Sequence, residues 1–135
     1  MLGELDHVAI AVQNLRATKS LYCGVLGFTH LDYETLPEQG VHVLTVALGT
    51  LRVELLEPID HSSPVHRFIQ KRGEGLHHLC FRVQDIRAAL AELEKQGFQL
   101  INKKPRKGAG GHLIAFVHPK STHGVLMELV EKCKK

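Results

Sequence analysis

A chain of 135 residues, 44% of them hydrophobic, has room for one small domain, or for two very small modules sharing a core. A net charge of +3, no tryptophan and only 5% aromatic residues give no basic stripe interleaved with rings, which argues against nucleic acid as a partner. No apolar run reaches the roughly 20 residues of a membrane helix, and Met1-Leu2-Gly3-Glu4 does not read as the start of a signal peptide, so no membrane partner is expected.

The first element expected is a strand over about 4–12, where Val8, Ile10 and Val12 alternate with His7, Ala9 and Ala11. Asn14 is a good helix N-cap, Leu15, Tyr22 and Val25 form an apolar stripe at helical spacing, and Gly27 stands where a C′ glycine would end the helix. Strands follow over about 28–35, 41–48 and 51–57, the last two joined by a tight turn at Gly49-Thr50. A short helix is expected next, with Ser63 as cap, Pro64 at its first position and Gly73 as its stop. The series then starts again. A strand over about 76–83 precedes a helix capped by Asp85, striped by Ile86, Leu90 and Leu93 and ended at Gly97. Three strands, about 98–103, 113–118 and 124–131, complete it.

The second series is a copy of the first. LDHVAIAVQNLRA (5–17) aligns with LHHLCFRVQDIRA (76–88) at an offset of 71, with identities at Leu5/Leu76, His7/His78, Val12/Val83, Gln13/Gln84, Arg16/Arg87 and Ala17/Ala88. LRVELLE (51–57) aligns with VLMELVE (125–131) at an offset of 74, which sets Glu54 on Glu128. The expected fold is therefore α+β: two repeated βαβββ modules forming a curved mixed sheet with a metal-containing cleft. The whole of 1–135 is read as a single domain, with module 1 over about 4–59, a linker over about 60–74 and module 2 over about 75–132.

Alternation along the strands assigns faces. Val8, Ile10 and Val12 face the helix, and His7 lies opposite. Leu79, Phe81 and Val83 face the second helix, and His78, Cys80 and Arg82 lie opposite. Glu54 is opposite Leu51, Val53 and Leu55, and Glu128 is opposite Val125, Met127 and Leu129. Two imidazoles and two carboxylates at repeat-equivalent places, all on the face away from the helices, are a donor set for one divalent ion. Each residue taken alone reads as surface or as a satisfied core group; the repeat is what singles them out. His77, in the place of Asp6, falls on the helix side and is expected not to be a ligand.

The remaining titratable groups read as ordinary structure. His30, His61, His66 and His123 are placed in loops or on the surface, and His118-Pro119-Lys120 ends a strand and serves a turn. His42 and His112 lie beside segments that could border the cleft. Cys80 reads as a small filler on the face of His78. The odd set Cys23, Cys80 and Cys133 has no paired spacing, which suggests a reduced, cytoplasmic setting. The loop Lys103-Lys104-Pro105-Arg106-Lys107-Gly108-Ala109-Gly110-Gly111 is basic and glycine-rich. It reads either as a plain hairpin loop or as a place for phosphates.

Five segments carry a resemblance: LDHVAIAVQNL (5–15), LPEQGV (36–41), VELLEP (53–58), GLHHLCFRV (75–83) and FVHPKSTHGVLMEL (116–129). Together they resemble the vicinal oxygen chelate superfamily, which includes glyoxalase I, extradiol dioxygenases and fosfomycin resistance proteins. Within it they are most similar to the methylmalonyl-CoA epimerase family, to which HPK followed by GVL-x-EL is the most specific pointer. The resemblance implies that His7, Glu54, His78 and Glu128 are the ligands of one divalent metal ion per chain, with cobalt or manganese favoured and nickel or zinc also suited. It implies an isomerase acting on a CoA thioester. A 1,1-proton transfer at the α-carbon, through a metal-stabilised enolate, would interconvert the 2R and 2S epimers of methylmalonyl-CoA. Inversion needs acid–base groups on both sides of that carbon. Glu128 matches one; where some members carry a glutamate for the other, this chain has Val43. His42, Glu38 and His112 are candidates by nearness in sequence. A homodimer is usual in the family. Glyoxalase I shares the ligand set and is the alternative activity, and a non-catalytic small-molecule-binding module of the same fold is the alternative class.

Overall fold

The structure, a computed structural model, describes residues 1–133. The chain divides into two compact units, one made of His7–His77 and the other of Met1–Asp6 with the chain from His78 onward. In the first are β1 (Leu5–Ala11, from His7), α1 (Leu15–Lys19), β2 (Thr29–Leu36), β3 (Val41–Leu48), β4 (Leu51–Pro58) and α2 (Pro64–Arg72). Its strands lie in the order β2-β3-β4-β1, with β1 parallel to β4 and the other pairs antiparallel. In the second are β5 (Gly75–Arg82, from His78), α3 (Ile86–Lys95), β6 (Arg106–Lys107), β7 (Leu113–Val117) and β8 (Met127–Glu131), in the order β5-β8-β7-β6. There β5 runs parallel to β8 and the rest are antiparallel. The α+β class and the twice-used strand–helix–three-strand order are as the repeat predicts.

The helix ends follow their local chemistry. Asn14 Oδ1 accepts the Ala17 N–H at 3.0 Å, and Asp85 Oδ1 accepts the Ala88 N–H at 3.0 Å. Gly27 and Gly97 close the helical stretches at φ 87° and 89°, a conformation only glycine takes without steric cost. Between cap and glycine the copies differ. Asn14 and Asp85 stand 71 apart but Gly27 and Gly97 only 70, so the first copy holds one residue more. That residue is absorbed by a π-helical turn over Ser20–Val25, in which the Leu26 N–H reaches back to Leu21 O at 2.9 Å. The linker helix begins and ends as expected, with Ser63 Oγ accepting the Val65 N–H at 3.1 Å and Gly73 as its C-cap.

A second cap was not visible in the helices themselves. Glu57, the penultimate residue of β4, accepts the Leu15 N–H at 2.8 Å, and Glu131, its repeat equivalent at the end of β8, accepts the Ile86 N–H at 2.9 Å. Each fourth strand thus supplies a carboxylate to the positive end of the helix that follows its parallel neighbour. Glu57→Ala and Glu131→Ala are each expected to lower stability by about 1–2 kcal/mol, as loss of a charged cap does. Urea unfolding of the two variants checks this; a change below about 0.3 kcal/mol in both would show the caps to be idle.

Packing follows the alternation. Val12, Leu15, Leu44, Val46, Val53 and Leu55 form one buried cluster, joined by Ile10, Tyr22 and Phe28 from β1 and the α1 side. The opposite face of the same strands is not bare. Ala9, Ala11, Val41, Val43 and Leu56 are covered by Val65, Ile69 and Phe68 of α2. In the other unit Val83, Ile86, Ala89, Leu90, Ala115, Val117 and Leu129 form the α3-side core, and Cys80, Ile114, Val130 and Phe116 pack on the other face.

One predicted strand is absent. Residues 98–103 make only an isolated bridge at Leu100–Val117, and the edge strand is instead the two-residue β6. The reason is local. Asn102 Oδ1 takes the Phe116 N–H at 2.9 Å, so a side chain occupies the place of a ladder carbonyl, and Pro105 follows just before β6. His118 serves a turn, as expected: its Nδ1 accepts the Lys120 N–H at 3.0 Å and caps the 3₁₀ turn Pro119–Thr122.

Candidate metal-ligand pairs

Each unit contains one imidazole–carboxylate pair, built in the same way. In the first, β1 and β4 run parallel with Ala9 opposite Glu54, so His7, two residues before Ala9, shares the face of Glu54. In the second, Cys80 is opposite Glu128, and His78 stands two residues before Cys80. The resulting distances are 3.3 Å from His7 Nε2 to Glu54 Oε1 and 2.9 Å from His78 Nε2 to Glu128 Oε1. His7, His78 and Glu128 are buried, and the Glu54 side chain is 14% exposed. Such polar groups are kept inside a fold only with compensating partners.

The pairs fit a metal by their donor chemistry. Imidazole nitrogen and carboxylate oxygen bind first-row divalent ions at about 2.0–2.2 Å, so two such ligands at right angles lie about 3 Å apart. The two separations in the pairs bracket that value.

The surroundings differ between the pairs. The ring of Phe116 stands edge-on to His78, with centroids 5.1 Å apart. Phe116 is also the cross-strand neighbour of Glu128. In the first unit the neighbour of Glu54 across β3 is the buried Thr45. Neither Phe116 nor Thr45 was singled out from the sequence. Thr45 was within reach, because counting back along the two-residue Gly49-Thr50 turn from the Leu48–Leu51 pair brings it opposite Glu54.

The same register decides among the candidate bases. Odd positions of β3 share the face of Glu54, and even positions pack under α1 with Leu44 and Val46. His42 is even, so it lies on the wrong face. Its Nδ1 is held by the hydroxyls of Thr35 at 2.9 Å and Tyr33 at 3.2 Å. Val43 is odd, buried, and packed with Ala9, Ala11 and Leu56, so the place of the missing glutamate is apolar here. Glu38 is exposed in the 3₁₀ turn Pro37–Gln39, and His112 accepts the Cys133 N–H at 2.9 Å. His77 packs on Phe68 of α2, with ring centroids 4.8 Å apart. None of Cys23, Cys80 and Cys133 is in a disulfide. No helix among the described residues is long and apolar enough to cross a membrane.

A doubled βαβββ unit carrying one imidazole–carboxylate pair per copy is a fold with known relatives. Residues 6–116 match the family model of the glyoxalase/bleomycin resistance protein/dioxygenase superfamily. The human mitochondrial methylmalonyl-CoA epimerase is 41% identical over 95% of this chain and 73% of its own length. The ethylmalonyl-CoA/methylmalonyl-CoA epimerase of Cereibacter sphaeroides is 38% identical over 96% of this chain and 98% of its own length. A solved Streptomyces coelicolor methylmalonyl-CoA epimerase, in complex with 2-nitronate-propionyl-CoA, superposes with a TM-score of 0.94 at 36% identity, over 98% of this chain and 96% of that one. The chain therefore belongs to the glyoxalase/bleomycin resistance protein/dioxygenase superfamily and, within it, to the methylmalonyl-CoA epimerase family.

Proposed function

We propose that this chain is a metal-dependent isomerase that interconverts the 2R and 2S epimers of methylmalonyl-CoA by a 1,1-proton transfer at the α-carbon. The observation that carries the reading is the His–Glu pair at the same place in both copies, in a chain about 40% identical to epimerases over nearly its whole length. His7, Glu54, His78 and Glu128 would hold one divalent ion between them, with the two modules and their linker acting as a single domain. The donor set suits cobalt or manganese first, and nickel or zinc as well. A divalent ion held there supplies Lewis-acid stabilisation of the negative charge that develops on substrate oxygens.

The chain's own residues do the rest. Glu128 is proposed both as a ligand and as the base on one side of the carbon, with His78 Nε2 2.9 Å away and Phe116 as its cross-strand neighbour. Val43 lies on the Glu54 face but is buried under α2 with Ala9 and Ala11, so it supplies no second base. A homodimer and a reducing cytoplasmic setting belong to the same proposal. The exposed Leu21, Val25 and Leu26 at the end of α1 are apolar surface that a partner would cover.

Incubation of metal-loaded protein with one epimer of methylmalonyl-CoA in deuterated water tests the reading. Formation of the other epimer with one deuterium at the α-carbon is the expected result. Turnover of the methylglyoxal–glutathione hemithioacetal, with the CoA thioester left untouched, would move the chain to glyoxalase chemistry.

A further inference from the structure

We infer that Arg106 is a specificity-determining residue that binds the nucleotide phosphates of a CoA thioester. The inference rests on the epimerase reading for the identity of the acyl group, but not for the phosphate site itself. Lys103, Lys104, Arg106 and Lys107 put four cations into five residues. The fold treats them differently. Arg106 lies directly opposite Ile114 in the β6–β7 pair, and directly opposed residues of an antiparallel pair project to the same face. Ile114 is buried in the cluster of Cys80, Val130 and Phe116, and the ring of Phe116 meets His78. Arg106 therefore leaves the sheet on the face that carries His78 and Glu128.

The other three cations are placed elsewhere. Lys107 is one residue on and projects to the α3 side. Lys103 is an exposed surface partner of Glu94 at 3.7 Å, and Lys104 is exposed in the loop before β6. Of the four, only Arg106 is half-buried.

Distance suits the longer part of the substrate. Arg106 is two strands and one pleat from Glu128, about 12 Å by sheet geometry. That is beyond a short acyl group bound at Glu128. It is in the range of the arm that separates a thioester from the CoA diphosphate. The guanidinium offers a planar fork of donors matched to phosphate oxygens.

The loop is also held in place, so the cation is presented and not merely tethered. The Gly108 N–H donates to His112 O at 2.8 Å, and the Gly111 N–H donates to Gly108 O at 3.0 Å. A Cβ on Gly108 would come 2.9 Å from Ile114 Cγ2, so glycine is needed for β6 to lie this close to the sheet.

The test compares methylmalonyl-CoA with methylmalonyl-pantetheine, which has the same reacting end and no nucleotide. In Arg106→Gln, the ratio of kcat/KM for the CoA thioester to that for the pantetheine thioester is expected to fall about tenfold or more, as loss of a charged hydrogen bond to phosphate does. Arg106→Lys should restore part of it. An unchanged ratio overturns the inference, and so does an equal fall in Lys103→Gln, which would mean general surface charge. Should the wild type turn over neither thioester, the epimerase reading fails. Calorimetric binding of CoA itself then decides the phosphate site: weakening by about tenfold in Arg106→Gln supports it, and equal binding by both proteins overturns it. Unchanged melting temperatures establish that the variants are folded.

Discussion

Glu128→Ala is expected to remove stoichiometric metal from the purified protein and to take epimerisation with it. Loss of a group that only supports a ligand costs about 10–100-fold in metal affinity, so loss of a ligand should exceed about 100-fold. The change also leaves the buried His78 facing the space its carboxylate filled, 2.9 Å away. His77→Ala is the matched control, one residue along β5 on the opposite face, where its ring contacts Phe68. Metal content by elemental analysis reads both variants without any substrate. Glu128→Ala that keeps its metal, or His77→Ala that loses it, would defeat the assignment of faces on which the proposed chemistry depends.

The second large effect is on stability. Leu55 and Leu129 are repeat equivalents, both 0% exposed, each the residue after a proposed ligand and on the opposite face of its strand. Leu55 sits in the cluster under α1, and Leu129 in the cluster under α3. Leu55→Ala and Leu129→Ala should each cost about 2–5 kcal/mol, the lost transfer energy plus the cavity left behind. Urea denaturation followed by circular dichroism gives the value, with an unchanged slope expected if only stability has moved. A loss under about 1 kcal/mol at either position would mean that the strand is not packed as described. A large loss at one position and a small loss at the other would break the equivalence of the two copies.

Residues close in sequence announced their structure well. The caps Asn14, Ser63 and Asp85, the stops Gly27, Gly73 and Gly97, and the strands around His7, Glu54, His78 and Glu128 were readable. Each depends on dihedral preferences and alternation that act over a few residues. The exceptions are equally local, but involve competition. A 70-residue offset at the glycines against 71 at the caps already held the extra residue that becomes the π turn. Asn102 was a visible polar residue in a presumed strand, and its side chain took over a ladder bond.

By itself, then, the sequence determined the duplicated βαβββ order, the positions of the helix ends and the sharing of one strand face by each histidine and its glutamate's row. The tertiary structure decided which residues stand opposite one another: Phe116 beside Glu128, Glu57 and Glu131 on the helix N-termini, α2 over Ala9 and Ala11, His42 turned away from Glu54, and Arg106 on the face of His78. The physical reason is that alternation within a strand is a property of its own backbone. Register between strands is set by the length and shape of the connections, and those from 98 to 112 and from 118 to 126 follow no regular period.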